Sequence, residues 1–140
     1  MGSQFTFYDY IDAEGSGTNI IKDWLNSEGK EAKARFNRMI SYLEESPPAG
    51  YRDSVWCDPY VWPLRNEWKG FKEIRKKVKG VQYRLIGKVV EVKGVRNVYL
   101  VTWGYHVGKW AANITVEEAI DRVNKMNSEP DKYRIEHENS

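Results

Sequence analysis

The sequence predicts an α+β fold: an N-terminal strand, a two-helix hairpin, a central antiparallel sheet of three to four further strands, and a C-terminal helix. Three observations predict it. Phe36, Met39, Ile40 and Leu43 follow the i, i+3, i+4, i+7 spacing of a core-facing helix. From Phe71 onward the pattern changes to strand-like runs separated by glycine, and at Thr115 the run T-V-E-E opens a last helical stripe.

Residues 4–10, QFTFYDY, alternate aromatic and polar side chains as a short strand does, and the Gly/Ser stretch Glu14 to Thr18 ends it. Asn19 then precedes Ile20, Ile21, Trp24 and Leu25, which share one side of a short helix closing near Gly29. The second helix spans about Glu31 to Glu45 and stops at Pro47 and Pro48. Residues 49–66 hold Trp56, Cys57, Tyr60 and Trp62 between prolines, so a partly extended connection rather than a regular helix is expected, its aromatics covering one edge of the core. Three antiparallel strands follow: FKEIRKKV, VQYRLIGKVVEV and VYLVTW, with turns at Lys79-Gly80 and Lys93 to Asn97. Val116, Ala119, Ile120 and Val123 make the apolar stripe of the final helix, which ends near Met126.

A length of 140 residues suits one hydrophobic core, so a single domain over residues 1–128 is expected, with a polar, flexible tail over 129–140. No stretch approaches the roughly 18 apolar residues of a membrane span. Met1 to Tyr10 lacks the basic start and apolar run of a signal peptide, and the one cysteine, Cys57, excludes an internal disulfide. A cytoplasmic location is the expectation.

The net charge of +2 conceals a division along the chain. Residues 1–64 carry 6 Lys/Arg and 10 Asp/Glu, residues 65–96 carry 11 and 3, and residues 97–140 carry 5 and 7. A middle segment this basic would attract a polyanion such as RNA, most strongly at low salt, or would be a lysine-rich solvated face.

A two-residue turn at Lys79-Gly80 pairs Val78 with Val81, Lys77 with Gln82, Lys76 with Tyr83 and Arg75 with Arg84. Ile74, Val78, Val81, Tyr83 and Leu85 then share the core face, while Glu73, Arg75, Lys77, Gln82 and Arg84 share the other. Opposed arginines destabilise a sheet by about 0.2–1 kcal/mol unless neutralised. Glu73, diagonal to Arg84, is one neutralising group; a bound phosphate gripped by the guanidinium donors is the other.

The order of W-K-G-F-K-E-I-R (Trp68 to Arg75), Q-Y-R (Gln82 to Arg84), V-Y-L-V-T-W-G-Y (Val98 to Tyr105) and T-x-E-E-A-x-x-R (Thr115 to Arg122) resembles the RelE/ParE toxin superfamily, closest to its HigB-like, phage-derived branch. The resemblance covers residues 64–126 by motif and implies a RelE-like fold. It also implies the toxin of a type II toxin-antitoxin system, an mRNA endoribonuclease driving 2'-hydroxyl attack on the adjacent phosphate, with mRNA on or off the ribosome and a cognate antitoxin as partners. Arg75 and Arg84 map onto functional arginines, and Lys69 and Lys72 onto basic residues before them; Lys77 and Gln82 join these as RNA contacts. Tyr105 or His106 would assist proton transfer. Y-H-V-G-K-W-A-A-N replaces the lysine-rich segment usual before the last helix, leaving only Lys109. A non-catalytic RNA- or protein-binding module and a ParE-like gyrase inhibitor are the other readings on the same scaffold.

Cys57, His106 and His137 fit no zinc spacing and the carboxylates form no calcium loop, so neither metal nor other cofactor is expected. Trp56, Trp62 and Trp68 suit either base stacking or core and edge packing.

Overall fold

A computed structural model describes residues 4–57, 60–107 and 109–138, with the side chains of residues 106–111 outside the description. The elements follow in chain order: β1 (Thr6–Tyr10), α1 (Ile20–Ser27), α2 (Lys30–Glu45), β2 (Val61–Pro63), a 3-10 turn (Asn66–Trp68), β3 (Lys72–Val78), β4 (Val81–Val92), β5 (Val95–Val107), β6 (Lys109–Ala112), α3 (Val116–Ser128), α4 (Pro130–Tyr133) and β7 (Arg134–Glu136). The α+β class holds. The sheet is larger than three to four further strands, with order β2-β3-β4-β5-β1-β7 and β6 branching from β5. It is also mixed, because β1 runs parallel to β5, Phe7 opposite Val98 and Tyr8 opposite Tyr99.

Local chemistry accounts for the helix starts. Asn19 Oδ1 accepts from Lys22 N at 3.0 Å at the head of α1, and Thr115 Oγ1 accepts from Glu118 N at 3.2 Å at the head of α3. The apolar stripes of α1 and α2 bury Ile21, Trp24, Leu25, Phe36, Ile40 and Leu43 against Phe5, Phe7, Ile74, Leu85 and Leu100 on one sheet face. On the other face Ile86, Tyr99 and Val101 meet Val116, Ala119, Val123 and Met126 of α3. The sheet is therefore sandwiched between two helical layers, and its strands are apolar on both sides where helices cover them.

The β3–β4 hairpin has the register read from the sequence, Arg75 opposite Arg84 and Val78 opposite Val81. Lys79 and Gly80 both take positive φ, 51° and 84°, as the tight hairpin turn requires. The second turn is tighter than the expected Lys93 to Asn97 span: Lys93-Gly94 alone makes it, and Val95, Arg96 and Asn97 pair with Val92, Glu91 and Val90. Alternation continues straight through the turn, which apolar patterning alone does not reveal. Register shifts between Ile86 and Gly87, where an added Cβ would lie 2.8 Å from the Tyr99 carbonyl oxygen. Gly87 permits that approach.

Among its described residues the connection 49–66 is irregular, with turns and bends before the short extended stretch of β2 and the 3-10 turn after it. Trp56 packs on Phe5 and Phe7, with ring centroids 4.4 Å and 5.9 Å apart, and donates Nε1–H to the Leu43 carbonyl at 3.2 Å. Pro63 is accommodated because β2 is an edge strand.

Residues 130–136, read from sequence as polar tail, form α4 and β7, and β7 pairs antiparallel with β1. Residues 139 and 140, where fraying was expected, lie outside the described residues. Buried His137 closes this end: Nδ1 meets Asp9 Oδ1 at 2.8 Å and Nε2 meets Asn37 Oδ1 at 2.8 Å, while Asn19 donates to Asp9 Oδ2 at 2.8 Å. Removing the imidazole strands polar groups on both β1 and α2. His137→Ala is therefore expected to lower unfolding free energy by about 2–3 kcal/mol in urea titration, whereas a merely frayed end would leave the midpoint unchanged.

Candidate functional site

The arginine pair is neutralised from within the chain. Glu73, fully buried, sits on the same strand face as Arg75 and diagonal to Arg84. Arg75 Nε donates to Glu73 Oε1 at 2.6 Å, and Arg84 Nη1 donates to the same oxygen. Arg84 is 4% exposed and its Nη2 also reaches Gln82 Oε1 at 3.3 Å. Of the two neutralising groups read from sequence, the Glu73 carboxylate engages both arginines, and Arg84 lies buried beside it.

Above this triad lies a cleft of about 500 Å³, walled by Trp62, Pro63, Leu64, Arg65, Trp68 and the triad itself. The Arg75 guanidinium stacks 4.3 Å from the centroid of the Trp62 ring and stays 28% exposed. Three arginines and two glutamates line the cleft, leaving one net positive charge. An aromatic face carrying a cation, over a buried ionic base, is suited to holding a planar or anionic group.

The remaining predicted residues do not converge on one point. Lys77 is exposed and alternates onto the cleft face with Gln82, and Lys69 is exposed just after the 3-10 turn. Lys72 belongs to the opposite face, beside Phe7, Trp56 and Ile74. Tyr105 faces α1: its hydroxyl donates to Glu28 and accepts from Trp24 Nε1 at 2.9 Å, with Tyr83 and Trp24 packed around it. The sheet thus separates Tyr105 from Arg75 and Arg84, because Tyr83, its partner in the ladder, alternates with Arg84. His106 pairs with Gln82 along β5, but its side chain lies outside the described residues, as does that of Lys109. Arg65 was the contributor missed; as a lone arginine in an irregular segment it gives no periodic signal.

Comparison with known proteins alters the reading of function. No family model matches the chain, and no solved structure matches it. It is 30% identical over 125 residues, 85% of its length, to the ATP-dependent helicase/deoxyribonuclease subunit designated B of Clostridium botulinum strain Hall, and equally to its counterpart in strain Langeland. Each match takes in 10% of the relative, so the chain spans about a tenth of the length of the curated relatives it matches.

These relatives overturn the RelE/ParE, HigB-like identification. With it fall the type II toxin role, mRNA cleavage, the gyrase alternative, and mRNA and antitoxin as partners. The physical reason is that a basic hairpin with tight Lys-Gly turns, aromatic strands and a capped terminal helix are general solutions to sheet and helix formation, and their order carries little functional information. Among the described residues, no helix is long and apolar enough to cross a membrane.

These contacts carry consequences for stability. Glu73→Ala leaves two arginines crowded without their shared carboxylate and is expected to cost about 3–5 kcal/mol in chemical denaturation, far more than truncating exposed Lys77. The pKa of the Tyr105 hydroxyl is pushed up to about 12, by burial first and then by its hydrogen bond to Glu28. The folded state thus keeps the phenol proton above the unfolded value of 10, so this contribution is complete below pH 10 and disappears as pH rises toward about 12. Tyr105→Phe should flatten that alkaline limb of a stability-against-pH curve; an unchanged limb would place its origin elsewhere.

Proposed function

We propose that this chain binds single-stranded DNA, as a counterpart of one segment of a helicase/deoxyribonuclease subunit, with the Trp62–Arg75 cleft as its contact surface. The observation that carries the reading is 30% identity across 85% of the chain to proteins whose name describes work on DNA. A helicase separates duplex into single strands, and unpaired bases present flat faces that indole and guanidinium surfaces stack on. The Arg75 guanidinium over Trp62 extends one such surface, and Arg65 adds charge at the cleft for a phosphate. Glu73 is engaged with two arginines, so the residues facing the cleft serve as binding groups.

The test is fluorescence anisotropy of labelled oligothymidine and of matched duplex across a salt series. Single strands should bind more tightly than duplex, and Trp62→Ala should weaken them by about 1–3 kcal/mol, the worth of one base–aromatic stack. Equal binding of both forms, or a Trp62→Ala variant indistinguishable from wild type, would refute the reading.

A further inference from the structure

The outer edge of β3 is only partly covered. β2 pairs with Lys72, Glu73 and Ile74, and no described strand pairs with the outer side from Arg75 to Val78. Along this open stretch the side chains are cationic on both faces, Arg75 and Lys77 toward the cleft side and Lys76 toward α2. From α2, Arg35 Nη1 donates to the Lys77 carbonyl at 2.9 Å, docking the helix on the strand edge. Arg38 follows one turn later on α2 and is exposed.

Arg35, Arg38 and Lys76 form one cluster. The Lys76 ammonium is held below its usual range by burial and by the neighbouring charges of Arg35 and Arg38. Glu31 pairs with Arg35 at 2.9 Å, so three cations and one carboxylate leave two net positive charges. Gathering like charges at the rim of a sheet is unfavourable unless an anion joins them. Because Arg35 takes up the Lys77 carbonyl, this edge is blunted against addition of a further β-strand while its side-chain charge remains at the surface.

We propose that Arg38 and Lys76 bind the phosphate backbone of single-stranded DNA leaving the Trp62–Arg75 cleft, so that one strand crosses the open edge of β3 from the cleft face to the α2 face. This rests on the single-strand-binding reading above and extends it: bases are held at the cleft, and the backbone is held at the edge. Arg75 and Lys76 are consecutive residues on opposite faces, which makes the two contact zones adjacent across the thickness of one strand.

Binding should then depend on length. Oligothymidines of about four and about sixteen nucleotides would be titrated against wild type, Trp62→Ala and the double variant Arg38→Gln/Lys76→Gln, which keeps the side-chain stems and Arg35; thermal unfolding confirms that each variant is folded. The double variant should bind the short oligonucleotide as wild type does, bind the long one about tenfold more weakly, and lower the salt slope for the long one by about 1.4, roughly 0.7 per lost phosphate contact. If Trp62→Ala weakens both lengths but the double variant matches wild type on the long one, the edge contact is overturned and the cleft reading stands. If neither length binds wild type, both are overturned. A protein segment as the true occupant of the edge would appear as long-oligonucleotide affinity indifferent to the double variant, which also overturns the proposal.

Discussion

The Glu73 carboxylate shared by Arg75 and Arg84 is the contact on which the rest of the molecule depends. A hairpin that places two guanidiniums directly across from each other has a repulsive register, and any one-residue slip would carry Ile74 and Leu85 out of the core. With the carboxylate buried between them, the pair becomes favourable in one register only. Buried ion pairs need not add much net stability, but breaking one is costly, so the triad penalises alternative strand pairings.

The same triad shapes the surface above it. Arg75 gives its Nε to Glu73 and lays its guanidinium on Trp62, so the ionic contact below and the aromatic contact above orient one side chain. Pro63 and the 3-10 turn bring Trp68 and Arg65 around the cleft mouth. The opposite sheet face is built differently: Trp24 stacks on Trp103 with centroids 5.3 Å apart, and the Tyr105 hydroxyl is satisfied by Trp24 and Glu28. Around Tyr105 the polar groups are consumed in packing, while the cleft leaves a cation and an indole at the surface.

The β3 edge joins these two faces. Among the described residues it is short of a strand partner where β2 ends, and the chain furnishes it with cations from β3 and α2. Charge at an open edge discourages strand-to-strand association and, in the proposed reading, draws in a polyanion. The segmental likeness to helicase/deoxyribonuclease subunits gives DNA as the polyanion to test.

The sequence by itself determined the α+β class, the apolar stripe of α2, the Thr115 cap and the Arg75–Arg84 register, because periodicity, capping and two-residue turns are local. Only the tertiary structure decided that β1 runs parallel to β5 and that residues 134–136 complete the sheet, since both depend on pairings across most of the chain. It also decided that Glu73 is the counter-ion of both arginines, that Tyr105 belongs to the other layer, and that Arg38 and Lys76 share a patch. Those are properties of which faces meet, and a sequence gives the faces of each element without saying what is laid against them.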